Sequence, residues 1–335
     1  MENLMTAGVG KLLTVSVAAY NVEKYLDEAL RSCVVANMDA LEVIIVDDGS
    51  EDKTSEVARE FVNRYPGTFV LIKKENGGYG STFNASLKVA RGKYFRYLDG
   101  DDWFDAGELE AYLAILSRND SDVVYSPYVR VYESDGSSEL IRDLRVDGEG
   151  VYYLSDLKIH RPLAACSLAY RTLYLREISF HMTEQCFYTD LEFCYIPFAF
   201  ANSIYVSDCP LYRYRIGRNG QSISVEGIRS HYKDILKVRM RMLSEFFPDG
   251  GIHPDIVPVS YIRDSMVKEI IATYSYLLLV GSDASKQDAL KFNRQLKGFS
   301  GLYRESSIAS KKVRLLRLSR FSLFGWLSSR ELRKK

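Results

Sequence analysis

The chain has 335 residues, 47% of them hydrophobic and 13% aromatic, so it can bury one or two substantial cores and is not compositionally disordered. Basic and acidic residues number 44 each, and this balance argues against a general electrostatic affinity for nucleic acid, so no nucleic acid partner is expected. The five cysteines are scattered and never spaced as C-x-x-C, which argues against a disulfide framework or a zinc site.

Strand-like apolar runs alternate with helical patterns along the first hundred residues. The runs of strand length are residues 12–18, 41–46, 69–72 and 94–98. Between them, apolar residues recur at helical spacing, as in 25–33 and 57–62. This alternation predicts an α/β fold, with a mostly parallel sheet flanked by helices and right-handed crossovers.

The pattern changes further along the chain. Residues 121–160 alternate in the manner of strands and loops, and from about residue 224 the pattern is helical, with amphipathic stretches at 231–247 and 257–279. We therefore predict an α/β domain over residues 1–224 and a helical C-terminal region over residues 225–335. Neither a signal peptide nor a run of about 18 apolar residues occurs, so a cytoplasmic protein without a membrane-spanning helix is expected.

Polar, acidic and glycine residues come directly after each of the four predicted strands. They are Ala19, Tyr20 and Asn21; Asp47, Asp48, Gly49 and Ser50; Asn76, Gly77 and Gly78; and Asp99, Gly100, Asp101 and Asp102. Ligands of such sheets bind at the carboxyl ends of the strands, so these groups are expected to converge on one binding edge.

The most acidic of these groups contains Asp99, Asp101 and Asp102. Mg²⁺ or Mn²⁺ takes one or two protein carboxylates and fills its shell with water and substrate phosphates, and this spacing suits such an ion. The alternative is an acidic turn that caps the next helix. The adjacent carboxylates of Asp47 and Asp48 can accept hydrogen bonds from a base or a ribose hydroxyl. The alternative, a plain turn followed by a helix cap, explains Gly49 and Ser50 but not the two carboxylates.

A glycine-rich stretch, N-G-G-Y-G-S-T at residues 76–82, leads into a predicted helix, where backbone N–H groups can face a phosphate or a sugar. It does not match G-x-x-x-x-G-K-[ST], and Gly8 and Gly10 precede a strand rather than follow one. An NTPase or a dehydrogenase is therefore disfavoured.

Four motifs follow one another between residues 14 and 102. They are T-V-S-V-A-A-Y-N-V-E-K-Y-L at 14–26, V-D-D-G-S at 46–50, E-N-G-G at 75–78 and Y-L-D-G-D-D at 97–102. Together they closely resemble the motifs of family 2 glycosyltransferases with the GT-A fold. The resemblance covers about the first 225 residues. It departs from the commonest pattern at Ala19 and Gly100, neither of which is a proposed ligand.

The resemblance implies a binding site for a nucleotide-sugar donor. The donor-binding residues it implies are Tyr20, Asp47, Asp48, Asn76, Gly77, Gly78 and Asp99, and the metal ligands are Asp101 and Asp99. Tyr20 and Asp48 would contact the nucleobase, with Asp47 supporting them. Asp99 would contact the ribose, and Asp101 would hold Mg²⁺ or Mn²⁺ on the donor diphosphate.

The run F-Y-T-D-L-E-F at residues 187–193 looks like the catalytic segment of the family and makes Asp190 the expected general base. Asp190 and Glu192 are two residues apart and point to different sides of a helix, so only one of them can face the site. The alternative is that Asp190 is a helix N-terminal carboxylate favoured by the dipole. The implied reaction is a single displacement with inversion.

Residues 212–224 resemble the basic, serine-bearing loop that follows the catalytic helix in nonprocessive members. Arg218, Gln221 and Ser222 are candidates to close over the diphosphate or the acceptor, since arginine offers a rigid fork suited to phosphate. A basic surface loop is the alternative. The processive Q-x-x-R-W motif is absent, which favours transfer of one sugar per encounter.

The last stretch of the sequence is strongly basic. Residues 311–335 carry nine lysines and arginines against a single acid, Glu331, interleaved with aliphatic and aromatic residues. A basic helix of this kind can lie in the headgroup region of an anionic membrane, which suits an enzyme with a lipid-linked acceptor. The alternative is a helix docked on the protein with its basic face solvated.

The leading hypothesis is an inverting, metal-dependent transfer of a sugar from a nucleotide-sugar, expected to be UDP-linked, to a glycan or lipid-linked acceptor. It places the protein in surface polysaccharide assembly, in the cytoplasm or on the inner face of the plasma membrane. The alternative is a non-catalytic sugar-nucleotide-binding or scaffold protein of a polysaccharide assembly complex.

Overall fold

The computed structural model describes residues 10–217 and 224–333. Residues 10–217 form one compact unit and residues 224–333 form a second, which we call the N-terminal and C-terminal units. All five cysteines are buried, and none forms a disulfide in the part of the chain that is described.

The N-terminal unit contains two sheets. Its strands are β1 (Leu13–Ala19), β2 (Leu41–Asp47), β3 (Phe69–Lys73), β4 (Tyr94–Asp99), β5 (Trp103–Phe104), β6 (Val123–Tyr125), β7 (Tyr128–Tyr132), β8 (Ser138–Ile141), β9 (Gly150–Tyr153), β10 (Leu168–Arg171), β11 (Ser203–Val206) and β12 (Tyr212–Ile216). The larger sheet has the order β3-β2-β1-β4-β10-β6-β11-β9, and the smaller has the order β5-β12-β7-β8.

Six helices flank these sheets, and the C-terminal unit is helical. The helices of the N-terminal unit are α1 (Leu26–Arg31), α2 (Thr54–Arg64), α3 (Tyr79–Val89), α4 (Ala106–Ser117), α5 (Thr172–Glu177) and α6 (Asp190–Phe200). Those of the C-terminal unit are α7 (Val225–Phe246), α8 (Val259–Val280), α9 (Asp283–Leu296), α10 (Ser300–Ala309), α11 (Lys311–Leu318) and α12 (Phe324–Leu332). Among the described residues, no helix combines the length and the apolar composition needed to span a bilayer.

The first four strands of the large sheet pair in parallel, as the sequence predicts. All seven residues of β2 and six of the seven in β1 are buried, which explains why both read as continuous apolar runs. The rest of the sheet is mixed, because β10 runs antiparallel to both β4 and β6, and β9 runs antiparallel to β11. The regular alternation of strand and helix that predicts parallel pairing ends after α4.

A buried polar network holds the amino ends of the central strands in register. Glu42 of β2 lies directly opposite Thr14 of β1, and its carboxylate accepts a hydrogen bond from the Thr14 hydroxyl at 2.7 Å. The same hydroxyl accepts the Gly92 N–H at 2.8 Å, and Arg91 pairs with Glu42 at 2.6 Å. The residues that lead into β4 are thereby tied to both β1 and β2.

Helix α3 begins earlier than the glycine-rich stretch suggests. Gly78 has a φ of +79°, which glycine adopts without strain, and the helix starts at the next residue. Gly80 lies in the first helical turn, where a Cβ atom would clash with the backbone of Thr183. Only residues 76–78 therefore form the loop, and Gly80 is needed for close packing.

Helix α6 contains an internal proline whose effect is compensated by tertiary contacts. Pro197 has no N–H, so the carbonyl of Phe193, four residues earlier, lacks its helical donor. The hydroxyl of Tyr170 on β10 donates to that carbonyl at 3.0 Å. Tyr174 likewise donates to the carbonyl of Pro197.

We expect Tyr170→Phe to lower the free energy of unfolding of the N-terminal unit by about 1–3 kcal/mol, because the buried Phe193 carbonyl loses its donor. In a Pro197→Ala background the same change should cost less, since alanine has an N–H that can donate within the helix. Urea unfolding followed by Trp103 fluorescence, in a Trp326→Phe chain, measures both costs.

Tyr152→Phe is the matched control. The Tyr152 hydroxyl donates to the Asp147 and Gly148 carbonyls in an exposed turn, so its loss should change stability by less than about 0.5 kcal/mol. An equal cost of Tyr170→Phe with and without Pro197 would show that the hydroxyl does not compensate for the proline.

Candidate active site

The strand register brings the predicted groups to one edge of the large sheet. Ala19, the last residue of β1, lies opposite Asp47 of β2, and Ala18 lies opposite Asp99 of β4. Tyr20 follows β1 directly and exposes 51% of its surface. Three strands therefore present Tyr20, Asp47 and Asp99 at the same edge.

Asp47 is fully buried and holds the turn between β2 and α2. Its carboxylate accepts hydrogen bonds from the Ser50 N–H at 2.9 Å and from the Ser55 hydroxyl. Burial raises the pKa of Asp47, but the hydrogen bonds from Ser50 and Ser55 and the charge of Lys73 outweigh it, so the net pKa is lowered. Asp47 is therefore an ionised carboxylate whose protein contacts organise the turn.

Asp48 joins the end of β2 to the glycine loop. Its Oδ1 accepts hydrogen bonds from Lys74 Nζ at 2.7 Å and from the Gly77 N–H at 3.0 Å, and its Oδ2 accepts from the Gly78 N–H at 2.8 Å. The carboxylate thus has three donors from one short segment. Its contact with a nucleobase stays a prediction.

The glycine loop is packed tightly on both sides. Asn76 is exposed, whereas Gly77 is buried and a Cβ there would lie 2.6 Å from the hydroxyl oxygen of Ser81. The carbonyl of Gly77 accepts the Gln185 N–H at 2.5 Å. The loop therefore contacts the segment that precedes the predicted catalytic helix.

Two residues that are not among the predicted site residues hold that segment, which we call the 182–186 segment. Asn84 on α3 accepts the Met182 N–H and donates to the Met182 carbonyl, both at 2.9 Å. Glu192 on α6 accepts the N–H and the hydroxyl of Thr183, both at 2.7 Å. A polar asparagine inside a helix is the one sequence signal that points to Asn84.

The acidic turn after β4 depends on its glycine. The Gly100 N–H donates to the Ala18 carbonyl at 3.0 Å, and a Cβ at this position would lie 2.8 Å from the same oxygen. The Asp102 N–H closes the turn on the Asp99 carbonyl at 3.0 Å. The close approach of β1 therefore explains a glycine between the two acidic residues.

Asp102 ties this turn to the small sheet. Its carboxylate accepts the Tyr212 hydroxyl at 2.7 Å and the Arg215 N–H at 2.8 Å, while the Tyr212 oxygen accepts the Asp99 N–H at 3.2 Å. Burial, followed by the charge of Asp101, raises the pKa of Asp102 to about 7, although the hydrogen bonds from Arg215 and Tyr212 lower it. Sequence reasoning did not identify Tyr212 or Arg215 as supports of the site.

Several negatively charged side chains act on Asp99. Burial raises the pKa of Asp99 well above its ordinary value, the charges of Asp102 and Asp101 add to this effect, and the Tyr79 hydroxyl opposes it. The charge of Asp190 raises the pKa of Asp99 further, so the structure places Asp190 within electrostatic reach of the acidic turn. A bound cation would remove this mutual destabilisation.

Tyr79, the first residue of α3, lies within reach of both predicted functional regions. Burial raises the pKa of Tyr79 well above its ordinary value, and the charges of Asp99 and Asp190 raise it further. Its ring packs edge-on against Tyr97 of β4, with 5.8 Å between the centroids. The phenol therefore stays protonated near the charges of Asp99 and Asp190.

Asp190 is the first residue of α6 and is exposed, whereas Glu192 is fully buried. The helical geometry that allows only one of the two to face a site is therefore observed. Tyr188, just before the helix, has a φ of +63°, an uncommon conformation for an aromatic residue. The arrangement projects Asp190 from a turn, and its role as general base stays a prediction.

The remaining predicted donor contacts, Arg218, Gln221 and Ser222, lie outside the described residues. Within residues 10–217 and 224–333, no group of three or more His, Cys, Asp or Glu side chains is arranged to hold a metal ion by itself. Mg²⁺ and Mn²⁺ bound to a nucleotide need only one or two protein carboxylates. The hard oxygens of Asp99 and Asp101, in a cluster with excess negative charge, fit such an ion.

Comparison with known proteins relates this chain to sugar-transferring enzymes. The sequence model described as Glycosyl transferase family 2 matches residues 14–178. Minor teichoic acid biosynthesis protein GgaB of Bacillus subtilis is 36% identical over 118 residues, which are 34% of this chain and 13% of that protein. Putative glycosyltransferase EpsH of Bacillus subtilis is 29% identical over 212 residues, 60% of this chain and 59% of that protein. The chain therefore spans less than two thirds of either relative.

Solved structures share the fold at low sequence identity. S. aureus TarS 1-349 in complex with UDP-GlcNAc aligns with a TM-score of 0.61 and 19% identity, covering 92% of each chain. The mannosyltransferase PcManGT from Pyrobaculum calidifontis, in complex with GDP-Man and Mn²⁺, aligns with a TM-score of 0.52 and 14% identity, covering 97% of this chain and 88% of that one. Residues 14–178 are therefore a family 2 glycosyltransferase domain, and the unit that contains them has the GT-A fold.

Proposed function

We propose that the protein is an inverting glycosyltransferase of cell-envelope polysaccharide assembly, which moves a sugar from a UDP-sugar to a glycan or lipid-linked acceptor. The observation that carries the proposal is the strand register, which brings Tyr20, Asp47 and Asp99 to one edge of the sheet in a domain that matches this family. The name of one relative, minor teichoic acid biosynthesis protein GgaB, supports the cell-envelope assignment.

The proposed donor site lies along the carboxyl ends of β1, β2 and β4. The exposed ring of Tyr20 offers a face on which a nucleobase can stack, and Asp99 lies at the end of the next strand, as a ribose contact requires. Asp47 and Asp48 keep the surrounding turn and loop in place. The UDP and UDP-GlcNAc bound to TarS support a uridine donor.

We assign Asp101 and Asp99 as the residues that would hold Mg²⁺ or Mn²⁺. When bound there, the ion neutralises charge that develops on the leaving diphosphate. The Mn²⁺ in the mannosyltransferase structure and the like-charge repulsion around Asp99 support this assignment. The side chain of Asp102, already bound by Tyr212 and Arg215, positions the turn that carries them.

In the proposed reaction, Asp190 accepts the proton of an acceptor hydroxyl while that oxygen attacks the anomeric carbon. The bond from that carbon to the diphosphate oxygen breaks, and the nucleoside diphosphate leaves with the electron pair. Attack opposite the leaving group inverts the anomeric centre.

Asn84 and Glu192 are positioning residues in this mechanism. Asn84 holds Met182, and Glu192 holds Thr183, so the chain that enters the catalytic helix is attached at both residues. Catalysis is sensitive to displacements of about 1 Å in reacting groups, so loosening this attachment should affect turnover more than donor binding.

We expect Asp190→Asn to lower the rate of UDP release from UDP-GlcNAc, with acceptor present, by about 10²–10⁴-fold, because the general base is lost. The dissociation constant for UDP, measured by calorimetry with Mn²⁺, should stay within about 3-fold, a difference of less than about 1 kcal/mol.

Asp147→Asn is the matched control, since Asp147 is exposed and lies outside the site, and it should behave as the unaltered chain. Turnover by Asp190→Asn at the unaltered rate would refute the base assignment. Binding of UDP without transfer to any acceptor pool would favour the non-catalytic alternative.

We expect Asp101→Asn to weaken UDP binding in the presence of Mn²⁺ by about 10-fold or more, because a metal ligand is replaced by a neutral amide. The residual binding in EDTA should be the same for both chains. Calorimetric titrations with and without Mn²⁺ measure this difference. If Mn²⁺ does not affect UDP binding by the unaltered chain, the metal assignment is wrong.

We expect Asn84→Ala to raise the amide exchange rate at Met182 by about 10-fold, since the lost hydrogen bonds contribute about 1 kcal/mol or more. Turnover should fall while the dissociation constant for UDP changes little. Hydrogen exchange with mass spectrometry, together with UDP-release kinetics, provides both readouts.

Asn63→Ala is the control for this substitution, because Asn63 is exposed on α2. It should change neither the exchange at Met182 nor the turnover. Unchanged exchange in Asn84→Ala would show that Asn84 does not hold the 182–186 segment.

A further inference from the structure

The last two helices of the C-terminal unit form a hairpin, which we call the basic hairpin (residues 311–333). Lys312, near the start of α11, pairs with Glu331, near the end of α12, at 2.8 Å, so the two helices run antiparallel. Its turn contains Arg320 and Phe321, with φ angles of +50° and +64°. Such conformations are uncommon for side chains of this size and persist only where the surroundings hold them.

One side of the basic hairpin is packed into the C-terminal unit. Its buried apolar residues are Val313, Leu316, Phe321, Phe324 and Leu327. Phe321 packs against Tyr274 of α8 with 6.2 Å between ring centroids, and its N–H donates to the Leu316 carbonyl at 2.8 Å. These contacts hold the turn and thereby set which residues face outward.

The outer side of α11 combines cations with exposed leucines. Lys311, Arg314, Leu315 and Leu318 are spaced at i, i+3, i+4 and i+7, so they lie on one face of the helix. Leu318, at the turn, exposes 77% of its surface. Transfer of such an exposed apolar side chain from water to an apolar phase is favourable.

The outer side of α12 repeats this combination. Trp326, Arg330 and Arg333 recur at helical spacing, and Trp326 exposes 55% of its surface. The guanidinium of Arg330 lies over the Trp326 ring at 5.7 Å. Leu323, between the turn and α12, exposes a further 37%. Leu318, Leu323 and Trp326 thus form an exposed apolar group at the turn end.

The charge of this outer side is uniformly positive. Its exposed cations are Lys311, Arg314, Arg320, Arg330 and Arg333. Among the described residues none of the five has an ion-pair partner, and Glu331, the single acid from residue 306 to 333, is bound by Lys312. The surface therefore attracts a partner that is anionic and offers an apolar phase.

We infer that the outer side of the basic hairpin binds an anionic lipid bilayer, with Leu318, Leu323 and Trp326 inserted among the headgroups and the arginines on lipid phosphates. Short amphipathic helices with cations beside aromatic and aliphatic side chains bind in this way. The inference goes beyond the proposed reaction and does not depend on it.

Two other occupants fit the surface less well. A soluble polyanion matches the five cations but leaves the three exposed apolar side chains in water. A second copy of the same surface buries those side chains but brings cations against cations, which is unfavourable. An anionic bilayer satisfies both the charge and the apolar groups.

The test is flotation of the full chain with vesicles of phosphatidylcholine containing about 30 mol% phosphatidylglycerol, against pure phosphatidylcholine. The unaltered chain should float with the anionic vesicles only and should be released by about 0.5 M NaCl, which screens the cations. Leu318→Ser, Leu323→Ser and Trp326→Ser combined should lower the partition coefficient by about 10-fold or more. Arg314→Glu, Arg330→Glu and Arg333→Glu combined should lower it by about 100-fold.

Control variants make the same kinds of change elsewhere. Leu173→Ser removes an apolar side chain that is 59% exposed on α5, and Lys291→Glu, Arg294→Glu and Lys297→Glu reverse three exposed cations on and just after α9. Both controls should float as the unaltered chain does. Circular dichroism of every variant, and unchanged UDP binding, exclude loss of folding and failure of the donor site as causes.

The inference is overturned if the unaltered chain stays unbound to anionic vesicles, or if the serine variant floats as well as the unaltered chain. Equal loss in the two charge-reversed variants would also overturn it, because the effect would then depend on total charge. Concentration-dependent dimerisation that is abolished by the serine variant, without flotation, would assign the surface to a second copy.

Discussion

The site depends on the register of β1 between β2 and β4. At the amino ends of these strands, buried Glu42 binds the Thr14 hydroxyl and Arg91, and Thr14 also accepts the Gly92 N–H. A slip of one residue would break this network and turn every side chain to the other face of the sheet. The same register places the last residues of the three strands side by side. A polar network at one end of the sheet therefore aligns the acidic residues at the other.

The acidic edge of the large sheet concentrates negative charge where hydrogen bonds within the protein already fix the loop and the turn. Asp48 and Asp102 are each bound by several donors of the protein, so they maintain the loop and the turn around the site. Asp99 has a raised pKa because desolvation and the surrounding like charges, which include that of Asp190, disfavour its ionised form. Such an arrangement is unfavourable alone and becomes favourable when a cation or hydrogen-bond donors of a ligand enter. This cost is the physical basis for expecting a charged ligand there.

Much of the site was predictable, because its residues lie directly after strands and covalent order alone puts them there. Helical geometry predicted that only one of Asp190 and Glu192 can face the site, and Glu192 is buried. The supports were not predictable. Asn84 contacts Met182 at a separation of 98 residues, and Tyr212 contacts Asp102 at a separation of 110. Contacts at such separations leave no trace in local periodicity, and the one local signal, a polar asparagine inside α3, does not identify its partner.

The basic hairpin shows the same division. Its helices and its positive charge can be predicted from the sequence. The sequence alone does not show that Phe321 is buried and that Trp326 is exposed. By itself the sequence determined the α/β class, the helical C-terminal region and the polar ends of the first strands, since periodicity and covalent order are local properties. Only the tertiary structure decided that β10 runs antiparallel to its neighbours. It also decided which carboxylates accept hydrogen bonds from the protein, and which apolar residues of the hairpin face outward. Each of these depends on contacts between segments that are distant in the chain.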